Sequence, residues 1–241
     1  MNILITGATS GIGKQLAEKY LAQHNQVICC GRNEEALQKL RNKYGKQVTT
    51  YCFDITDYEA VQLQLAEIHD LDLAILNAGT CEYLDMPEFD AQSYQRVLTT
   101  NVQGVANCLE AVIPKIKPNG RLALVGSSAS YLPLPRAEAY GASKAAIEYL
   151  AKTLMITLKP YDIQVSLVCP GFVKTPLTDQ NDFPMPMRIN ADKAADYIIS
   201  GLAKGKAEIH FPRRFTGILK LLSKLPFSLQ RPIISGLVSR H

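Results

Sequence analysis

Several sequence patterns that mark common classes of protein are missing from this chain of 241 residues. No apolar stretch reaches the roughly 20 residues that a membrane-spanning helix needs. No C-x-x-C pair occurs, and the four histidines do not have the spacing of metal ligands. There is no G-x-S-x-G motif, which argues against a serine hydrolase. We therefore expect neither a transmembrane helix nor a catalytic metal.

Cysteine is sparse, and its positions predict free thiols. Four of the six lie in or at the ends of predicted strands, where a thiol behaves as a small apolar side chain. The first predicted strand begins at residue 2, which leaves no room for a signal peptide, so we expect a cytoplasmic protein. The six positions are Cys29, Cys30, Cys52, Cys81, Cys108 and Cys169.

Apolar runs alternate with helical patterns along most of the chain. The runs predict strands near 2–6, 26–30, 48–53, 72–76, 121–125, 164–169 and 207–211. The helical patterns fall near 12–23, 34–43, 57–67, 91–115, 138–159 and 191–203. Such alternation predicts an α/β fold with a single doubly wound parallel sheet of the Rossmann type. No internal repeat and no second domain are evident.

A glycine-rich turn, TGATSGIG, follows the first predicted strand and opens the first predicted helix. Its glycines are Gly7, Gly11 and Gly13, spaced G-x-x-x-G-x-G. Glycines in this context allow the backbone to approach a pyrophosphate, and the helix N-terminus supplies N–H donors and a positive dipole. The turn predicts a dinucleotide-binding site.

A second feature is the pair Tyr140 and Lys144 in YGASK. Within a helix the two side chains lie one turn apart on the same face. A phenol beside a positive charge is suited to donate a proton to a carbonyl oxygen, and the charge favours the phenolate and lowers the pKa of the phenol.

Taken together, the motifs resemble those of the short-chain dehydrogenases/reductases in their compact form of roughly 250 residues. The resemblance covers residues 1 to about 212. Leu76 departs from it, since many members have a second asparagine before Asn-Ala-Gly. The matching motifs, in chain order, are TGATSGIG, Asp54 in YCFDITD, Asn77-Ala78-Gly79, Asn101 in TTNVQG, Ser127 in VGSSAS, YGASK, and Pro170-Gly171 in CPGFVKT.

The resemblance implies a catalytic set of four residues. Tyr140 is the acid/base, and Ser127 hydrogen-bonds the substrate oxygen. Lys144 tunes the tyrosine and holds the cofactor ribose, and Asn101 holds a water in a proton relay. Ser128 and Ser130 compete with Ser127 for the serine role, and the spacing of 13 residues to Tyr140 selects Ser127.

The same resemblance assigns a cofactor site. We expect NADP(H) rather than NAD(H), because Arg32 directly follows the second strand and can meet a 2′-phosphate. Glu34 and Glu35 could instead bind a ribose hydroxyl, although a helix capped by Asn33 explains them as first-turn acids. The expected cofactor contacts are Gly7, Ser10, Gly11, Ile12, Gly13, Arg32, Asp54, Ile55, Asn77, Ala78, Gly79, Tyr140, Lys144, Pro170, Gly171, Val173 and Thr175.

The expected reaction is hydride transfer between NADP(H) and a carbonyl or secondary-alcohol substrate. Besides Ser127 and Tyr140, the segment between Pro170-Gly171 and the helix near 191 should meet an apolar substrate, through Phe183, Met185 and Met187. The alternatives are a loop that merely packs on the core and, for the whole chain, a non-catalytic dinucleotide sensor or scaffold. Relatives commonly form homo-oligomers through the helix that carries Tyr140 and Lys144.

The last part of the chain is basic. Residues 205–241 contain seven lysines and arginines against one acid, Glu208, while the whole chain carries a net charge of +4. We assign residues 1–212 to the catalytic domain and residues 213–241 to a basic amphipathic C-terminal extension of the same domain, with Phe215, Ile218, Leu219, Leu222 and Leu225 at helical spacing. The extension predicts peripheral contact with an anionic membrane face. Packing on a partner subunit or on its own domain is the alternative, and we expect no nucleic-acid partner.

Overall fold

The computed structural model describes residues 1–238, and a central sheet of seven parallel strands organises them. The order across the sheet is β3-β2-β1-β4-β5-β6-β9. This confirms the predicted Rossmann-type fold. The strands of the sheet are β1 (Asn2–Thr6), β2 (Gln26–Gly31), β3 (Val48–Cys52), β4 (Leu71–Leu76), β5 (Ile116–Val125), β6 (Gln164–Pro170) and β9 (Glu208–Phe211).

Helices cover both faces of the sheet, because the strands are apolar on both sides. Leu4 and Leu124 face one buried cluster, whereas Ile3, Ile5 and Ala123 face the other. The helices are α1 (Gly11–Ala22), α2 (Glu34–Tyr44), α3 (Tyr58–Leu65), α4 (Ala91–Leu98), α5 (Gly104–Val112), α6 (Glu138–Thr157), α7 (Ala191–Ala203), α8 (Arg213–Leu222) and α9 (Phe227–Val238).

Two elements differ from the sequence prediction. The helix predicted over 91–115 is divided, since a π-helical segment, Thr99–Gln103, separates α4 from α5 and a 3₁₀ turn, Ile113–Lys115, follows. Strand β5 starts five residues earlier than predicted, and its register against β4 shifts between Leu71 and Leu73. Neither feature has a local signal in the apolar pattern.

The segment that follows β6 contains a small second sheet, which the sequence did not predict. Strands β7 (Val173–Lys174) and β8 (Ile189–Asn190) are two residues long and pair in parallel. They hold the two ends of the segment predicted to meet the substrate. As a result, residues 175–188 project from the fold as one loop.

The C-terminal extension forms two helices rather than one. Helix α8 packs next to β9: Thr216 is fully buried, its hydroxyl lies 2.7 Å from His210 Nδ1, and the Lys220 ammonium pairs with Glu208. Arg240 and His241, which belong to the predicted extension, lie outside the described residues.

Among residues 1–238, no helix combines the length and the apolar character needed to cross a bilayer. The cysteines are free thiols: Cys29, Cys30, Cys108 and Cys169 are buried, Cys81 is half-buried, and Cys52 is exposed. The described part of the chain holds no group of three or more histidine, cysteine, aspartate or glutamate side chains arranged for a metal ion.

Candidate active site

A groove runs along the carboxyl ends of the central strands, where ligands bind in sheets of this kind. Residues from five predicted motifs meet there. Most of the predicted cofactor contacts line it, and so do three of the four predicted catalytic residues. The lining comprises Gly7, Ser10, Gly11, Ile12, Asn77, Ala78, Gly79, Thr80, Val125, Gly126, Ser127, Tyr140, Lys144, Pro170, Gly171, Val173, Thr175, Pro176, Leu177 and Thr178.

The turn after β1 is built from glycines because side chains would not fit. Gly7 and Gly11 have positive φ angles of 67° and 52°. A Cβ atom on Gly13 would lie 2.2 Å from the carbonyl oxygen of Gly7, so this glycine packs beneath the turn and not in the groove. Ser10 precedes α1 without capping it through its side chain, which leaves N–H donors of the first helical turn free for an anion.

A buried threonine joins this turn to the loop after β4. The Thr6 hydroxyl accepts hydrogen bonds from the backbone N–H groups of Asn77 and Ala78, at 3.0 and 3.1 Å. The Asn77 side chain donates in return to the Thr6 carbonyl at 3.2 Å. These contacts hold the two loops together along one wall of the groove.

Ser127 follows β5 and is the one of the three candidate serines that lines the groove. It is buried, and its hydroxyl accepts a hydrogen bond from the Ala129 N–H at 3.1 Å, which caps a 3₁₀ turn. Ser130 instead donates to the Ser127 carbonyl and to Glu148. The structure thus places Ser127, the serine selected by the spacing to Tyr140, in the lining of the groove, and places neither Ser128 nor Ser130 there.

Tyr140 and Lys144 share one face of α6, and the Lys144 ammonium lies 5.7 Å from the centre of the Tyr140 ring. The ammonium is buried and donates to the Val125 carbonyl at 3.0 Å. Burial lowers the pKa of Lys144 to about 8. It raises the pKa of Tyr140, an effect that the nearby Ser127 hydroxyl only partly offsets.

The pKa of Tyr140 therefore departs from the sequence expectation. One helical turn between a phenol and an ammonium predicts a lowered pKa, since the positive charge favours the phenolate. In the folded chain the phenol is desolvated, and this desolvation is the largest influence on its pKa, which it raises. The sequence spacing contains no information on desolvation.

Asn101 lies behind Lys144, in the π-helical segment, and is fully buried. Its amide donates to the Thr80 carbonyl at 2.8 Å and to the Ser143 hydroxyl at 2.9 Å, and its oxygen accepts from the Thr80 N–H at 2.8 Å. The side chain thus joins the loop after β4 to α6. Its predicted part in a water relay stays a prediction.

Arg32 and Asp54 lie next to each other beyond the lined part of the groove. The Arg32 guanidinium is 3.1 Å from the Asp54 carboxylate. Although desolvation raises it, the pKa of Asp54 is held below its usual range by hydrogen bonds from Thr56 and by Arg32. Ile55, another predicted cofactor contact, is buried in the core and its carbonyl accepts from the Asn107 amide.

The acidic residues after Arg32 have other partners. Asn33 caps α2 by accepting from the Ala36 N–H at 2.9 Å, as expected. Glu34 pairs with Arg41, and Glu35 pairs with Lys39. Both carboxylates thus form ion pairs with basic residues of the same helix, α2.

Of the five predicted substrate contacts, Ser127 and Tyr140 line the groove, whereas the three in the loop 175–188 do not. Met187 is 51% exposed, and Met185 accepts a hydrogen bond from the Asn181 amide through its sulfur. Phe183 packs edge-on against Tyr83, with ring centres 5.2 Å apart, and also against Phe172 at 6.1 Å. The structure places Phe183 in an aromatic cluster beside the site and leaves the two methionines on the outer part of the loop.

The aromatic cluster, Tyr83, Phe172, Phe183 and Phe215, was missed by sequence reasoning. Phe172 contacts Phe215 of α8 at 5.4 Å between ring centres. A Cβ atom on Gly171, which lines the groove, would lie 2.9 Å from the Phe215 ring. Four segments distant in sequence thus bring rings together beside the groove. The one available signal was Phe172, which directly follows Pro170-Gly171.

Arg136 is a further residue without a sequence signal. Its guanidinium lies 2.7 Å from Asp85, in the loop after β4, and 2.7 Å from Asp182, in the loop 175–188. It also lies over the Tyr83 ring at 5.6 Å. The arginine therefore joins the two loops that flank the aromatic cluster.

Comparison with known proteins identifies the family. The family described as short chain dehydrogenase matches residues 1–184. An uncharacterized oxidoreductase of Myxococcus xanthus (strain DK1622) is 32% identical over 232 residues, which cover 92% of each chain. The protein belongs to the short chain dehydrogenase family, whose members are oxidoreductases.

Solved structures share the fold. A short chain dehydrogenase/reductase from Burkholderia phymatum in complex with NAD has a TM-score of 0.83 at 23% identity, covering 95% of this chain and 94% of that one. A short-chain dehydrogenase from Sphingobium yanoikuyae in complex with NADPH has a TM-score of 0.78 at 24% identity, covering 93% and 96%. These likenesses bear on the fold alone.

Proposed function

We propose that this protein interconverts a carbonyl compound and a secondary alcohol, with NADP(H) as the hydride carrier. One observation carries the proposal: Ser127, Tyr140 and Lys144 line the same groove as the glycine-rich turn. A dinucleotide held by that turn would extend toward the serine, the phenol and the ammonium.

A nicotinamide dinucleotide fits the residues of the groove. Gly7 and Gly11 line the groove without side chains, and the uncapped start of α1 offers N–H donors to the phosphates of the cofactor. The Lys144 ammonium beside Gly79 can hold ribose hydroxyls. The other cofactor contacts that we assign are Ser10, Ile12, Asn77, Ala78, Pro170, Gly171, Val173 and Thr175, all of which line the groove. When bound, the cofactor supplies the hydride.

The protein's own residues handle the proton. Tyr140 donates its phenolic proton to the substrate oxygen, and Ser127 hydrogen-bonds the same oxygen and stabilises the charge that develops there. Lys144 stabilises the resulting phenolate. Asn101 fixes the loop after β4 against α6 and takes part in returning a proton to Tyr140.

We infer NADP(H) rather than NAD(H) from the residues after β2. Arg32 is largely exposed beside Asp54 and can turn to a 2′-phosphate, whereas Glu34 and Glu35 are paired along α2. Solved relatives include complexes with NADPH and with NAD, so a nicotinamide dinucleotide is common to both.

The substrate that we propose is a small apolar carbonyl or alcohol. The rings of Tyr83, Phe172, Phe183 and Phe215 provide an apolar wall beside the groove. A non-catalytic sensor or scaffold is not favoured, because such a protein does not need a serine, a tyrosine and a lysine together at the cofactor groove.

We further propose that the enzyme works in the cytoplasm as a homo-oligomer, on the cytoplasmic face of a membrane. Two exposed apolar side chains on α6, Tyr149 and Ile156, support self-association through this helix. Light scattering on the purified protein would test the assembly, and a monomer at micromolar concentration would contradict it.

The test of the reaction is NADPH oxidation, followed by absorbance, across a panel of aldehydes and ketones. Tyr140→Phe keeps the ring but removes the transferable proton, so turnover should fall by about 10²–10⁴-fold while cofactor affinity stays near that of the wild type. Tyr161→Phe, at an exposed tyrosine after α6, is the matched control and should be fully active. Wild-type turnover in Tyr140→Phe would refute the assigned role, and a wild type that binds NADPH but reduces no carbonyl would favour the sensor.

A further inference from the structure

Helices α8 and α9 expose an apolar surface to solvent. Leu221 is 68% exposed and Phe227 is 63% exposed. Ile218, Leu229 and Ile233 are exposed as well. We call these five residues, together with the four basic residues named next, the tail face. Five large apolar side chains left exposed on two consecutive helices indicate a contact site.

The tail face is also basic. Arg213, Arg214, Lys224 and Arg231 are exposed, and none of them forms an ion pair with a residue in 1–238. Residues 209–241 contain no aspartate or glutamate. In α8, Arg214, Ile218 and Leu221 are spaced four and three residues apart, so basic and apolar side chains lie on the same side of the helix.

The opposite side of α8 is already engaged with the catalytic domain. Thr216 is buried, Lys220 pairs with Glu208, and Phe215 packs on Phe172. The alternative that the extension packs on its own domain thus applies to this inner side. It does not account for the apolar residues of the tail face.

Two candidates remain for what covers the tail face, a second copy of this chain and an anionic lipid surface, and charge distinguishes them. A second copy related by two-fold symmetry would bring the same face against itself, and so four basic residues against four with no acid in the segment to neutralise them. An anionic lipid surface instead neutralises the basic residues and receives the apolar ones.

We propose that the tail face docks on an anionic membrane surface and brings the substrate site to the bilayer. Phe215, on the inner side of α8, contacts Phe172 beside the groove. A helix is roughly 10–12 Å wide with its side chains, so the aromatic wall would lie about one helix diameter from the lipid. Resting on the proposed function, this identifies the substrate as an apolar carbonyl or alcohol drawn from the bilayer.

The experiment is co-sedimentation of the full chain with phosphatidylcholine vesicles, with and without phosphatidylserine. The wild type should sediment with the anionic vesicles, and higher salt should weaken but not abolish binding, because the apolar contacts are not screened. Lys224→Ala should weaken binding about fivefold, the effect of one basic residue near such a surface. Leu221→Glu should weaken it at least about tenfold, since it replaces an inserted side chain by a charge that the lipid repels.

Matched controls lie elsewhere on the surface. Leu63 on α3 is 75% exposed, so Leu63→Glu adds the same charge at a similar site, and Lys46→Ala removes an exposed lysine outside the tail face. Both should bind vesicles like the wild type. Circular dichroism and NADPH titration of every variant verify that the fold is intact.

Failure of the wild type to bind anionic vesicles overturns the proposal. So does equal loss in Leu63→Glu and Leu221→Glu. Dissociation of an oligomer by Leu221→Glu, seen by light scattering, would assign the tail face to a second copy. The vesicle assay does not depend on turnover. Vesicle binding without any carbonyl reduction would therefore contradict the proposed reaction and still support membrane docking.

Discussion

Lys144 is a buried ammonium, and burial of this group costs stability. Its side chain is only slightly accessible, and desolvation brings its pKa to about 8, from 10.5 in the unfolded chain. Below about pH 8 the lysine is charged in both states, and the folded state carries the full penalty. The unfolded state binds more protons between about pH 8 and 10.5, so stability rises with pH across this window.

Replacement of this lysine by a similar apolar side chain should therefore stabilise the protein. For Lys144→Met we expect a gain on the order of 2 kcal/mol at pH 7, or a rise of several degrees in Tm. The gain should shrink between pH 8 and pH 10.5. Cofactor affinity and turnover should both fall, because the ribose and phenolate contacts are lost. Thermal unfolding at pH 7 and pH 10, followed by circular dichroism, measures the effect, and a lower Tm at pH 7 would contradict it.

Arg32 is the residue on which the proposed preference for NADPH depends. A charge-assisted contact to phosphate contributes roughly 1.5–3 kcal/mol, so Arg32→Ala should weaken NADPH binding on the order of 10–100-fold and leave NADH binding nearly unchanged. Fluorescence titration of both cofactors measures this, with Lys46→Ala, which removes an exposed lysine just after α2, as the control. Equal affinities for the two cofactors in the wild type would contradict the preference for NADPH and favour the alternative in which Glu34 and Glu35 bind a ribose hydroxyl of NAD(H).

At the scale of elements, the π-helical segment between α4 and α5 decides where Asn101 lies. A π-helical turn contains one residue more than an α-helical turn, so it shifts the side chains that follow. Here it coincides with the buried amide that joins Thr80 to Ser143. The apolar pattern of 91–115 reads as one helix, since a single added residue hardly disturbs a periodicity spread over many turns.

Helix α8 is the element whose interpretation the structure changes most. The sequence assigns it to a C-terminal extension of the catalytic domain and leaves open whether it contacts a membrane, a partner subunit or its own domain. In the fold it carries a ring of the aromatic wall and the partner of Glu208. Its inner side therefore belongs to the packed domain, and only its outer side is free for a membrane.

A chain that ends at Pro212 should accordingly be less stable than the full protein. Removal of α8 exposes Phe172 and leaves the half-buried Glu208 without Lys220, a loss on the order of 2 kcal/mol or more. A fall of at least about 5 °C in Tm is the expected result. A chain ending at Leu225 keeps α8 and removes α9, in which Ile234 is buried, and serves as the control with a smaller fall. Unchanged Tm in the chain ending at Pro212 would show that α8 adds nothing to the domain.

At the scale of the whole molecule, the parallel sheet gathers the site. Gly7, Asn77 and Ser127 follow the ends of β1, β4 and β5, and Pro170 is the last residue of β6. The carboxyl ends of parallel strands meet at one edge of the sheet. A right-handed β-α-β connection makes the next strand parallel to the one before it. Motifs that are spread over about 170 residues therefore line the same groove although they are distant in sequence.

The sequence by itself determined the family, the fold and the order of the strands' motifs, because glycine spacing, apolar runs and the Tyr-x-x-x-Lys pair are local patterns. It also identified Asn33 as a helix cap, since capping involves neighbours three residues apart. The aromatic wall, the Arg136 bridge, the raised pKa of Tyr140 and the two sides of α8 were decided only by the tertiary structure. Each depends on which distant segments pack on a side chain and exclude water from it. Desolvation and long-range packing produce no local pattern in the sequence, so they cannot be predicted from it.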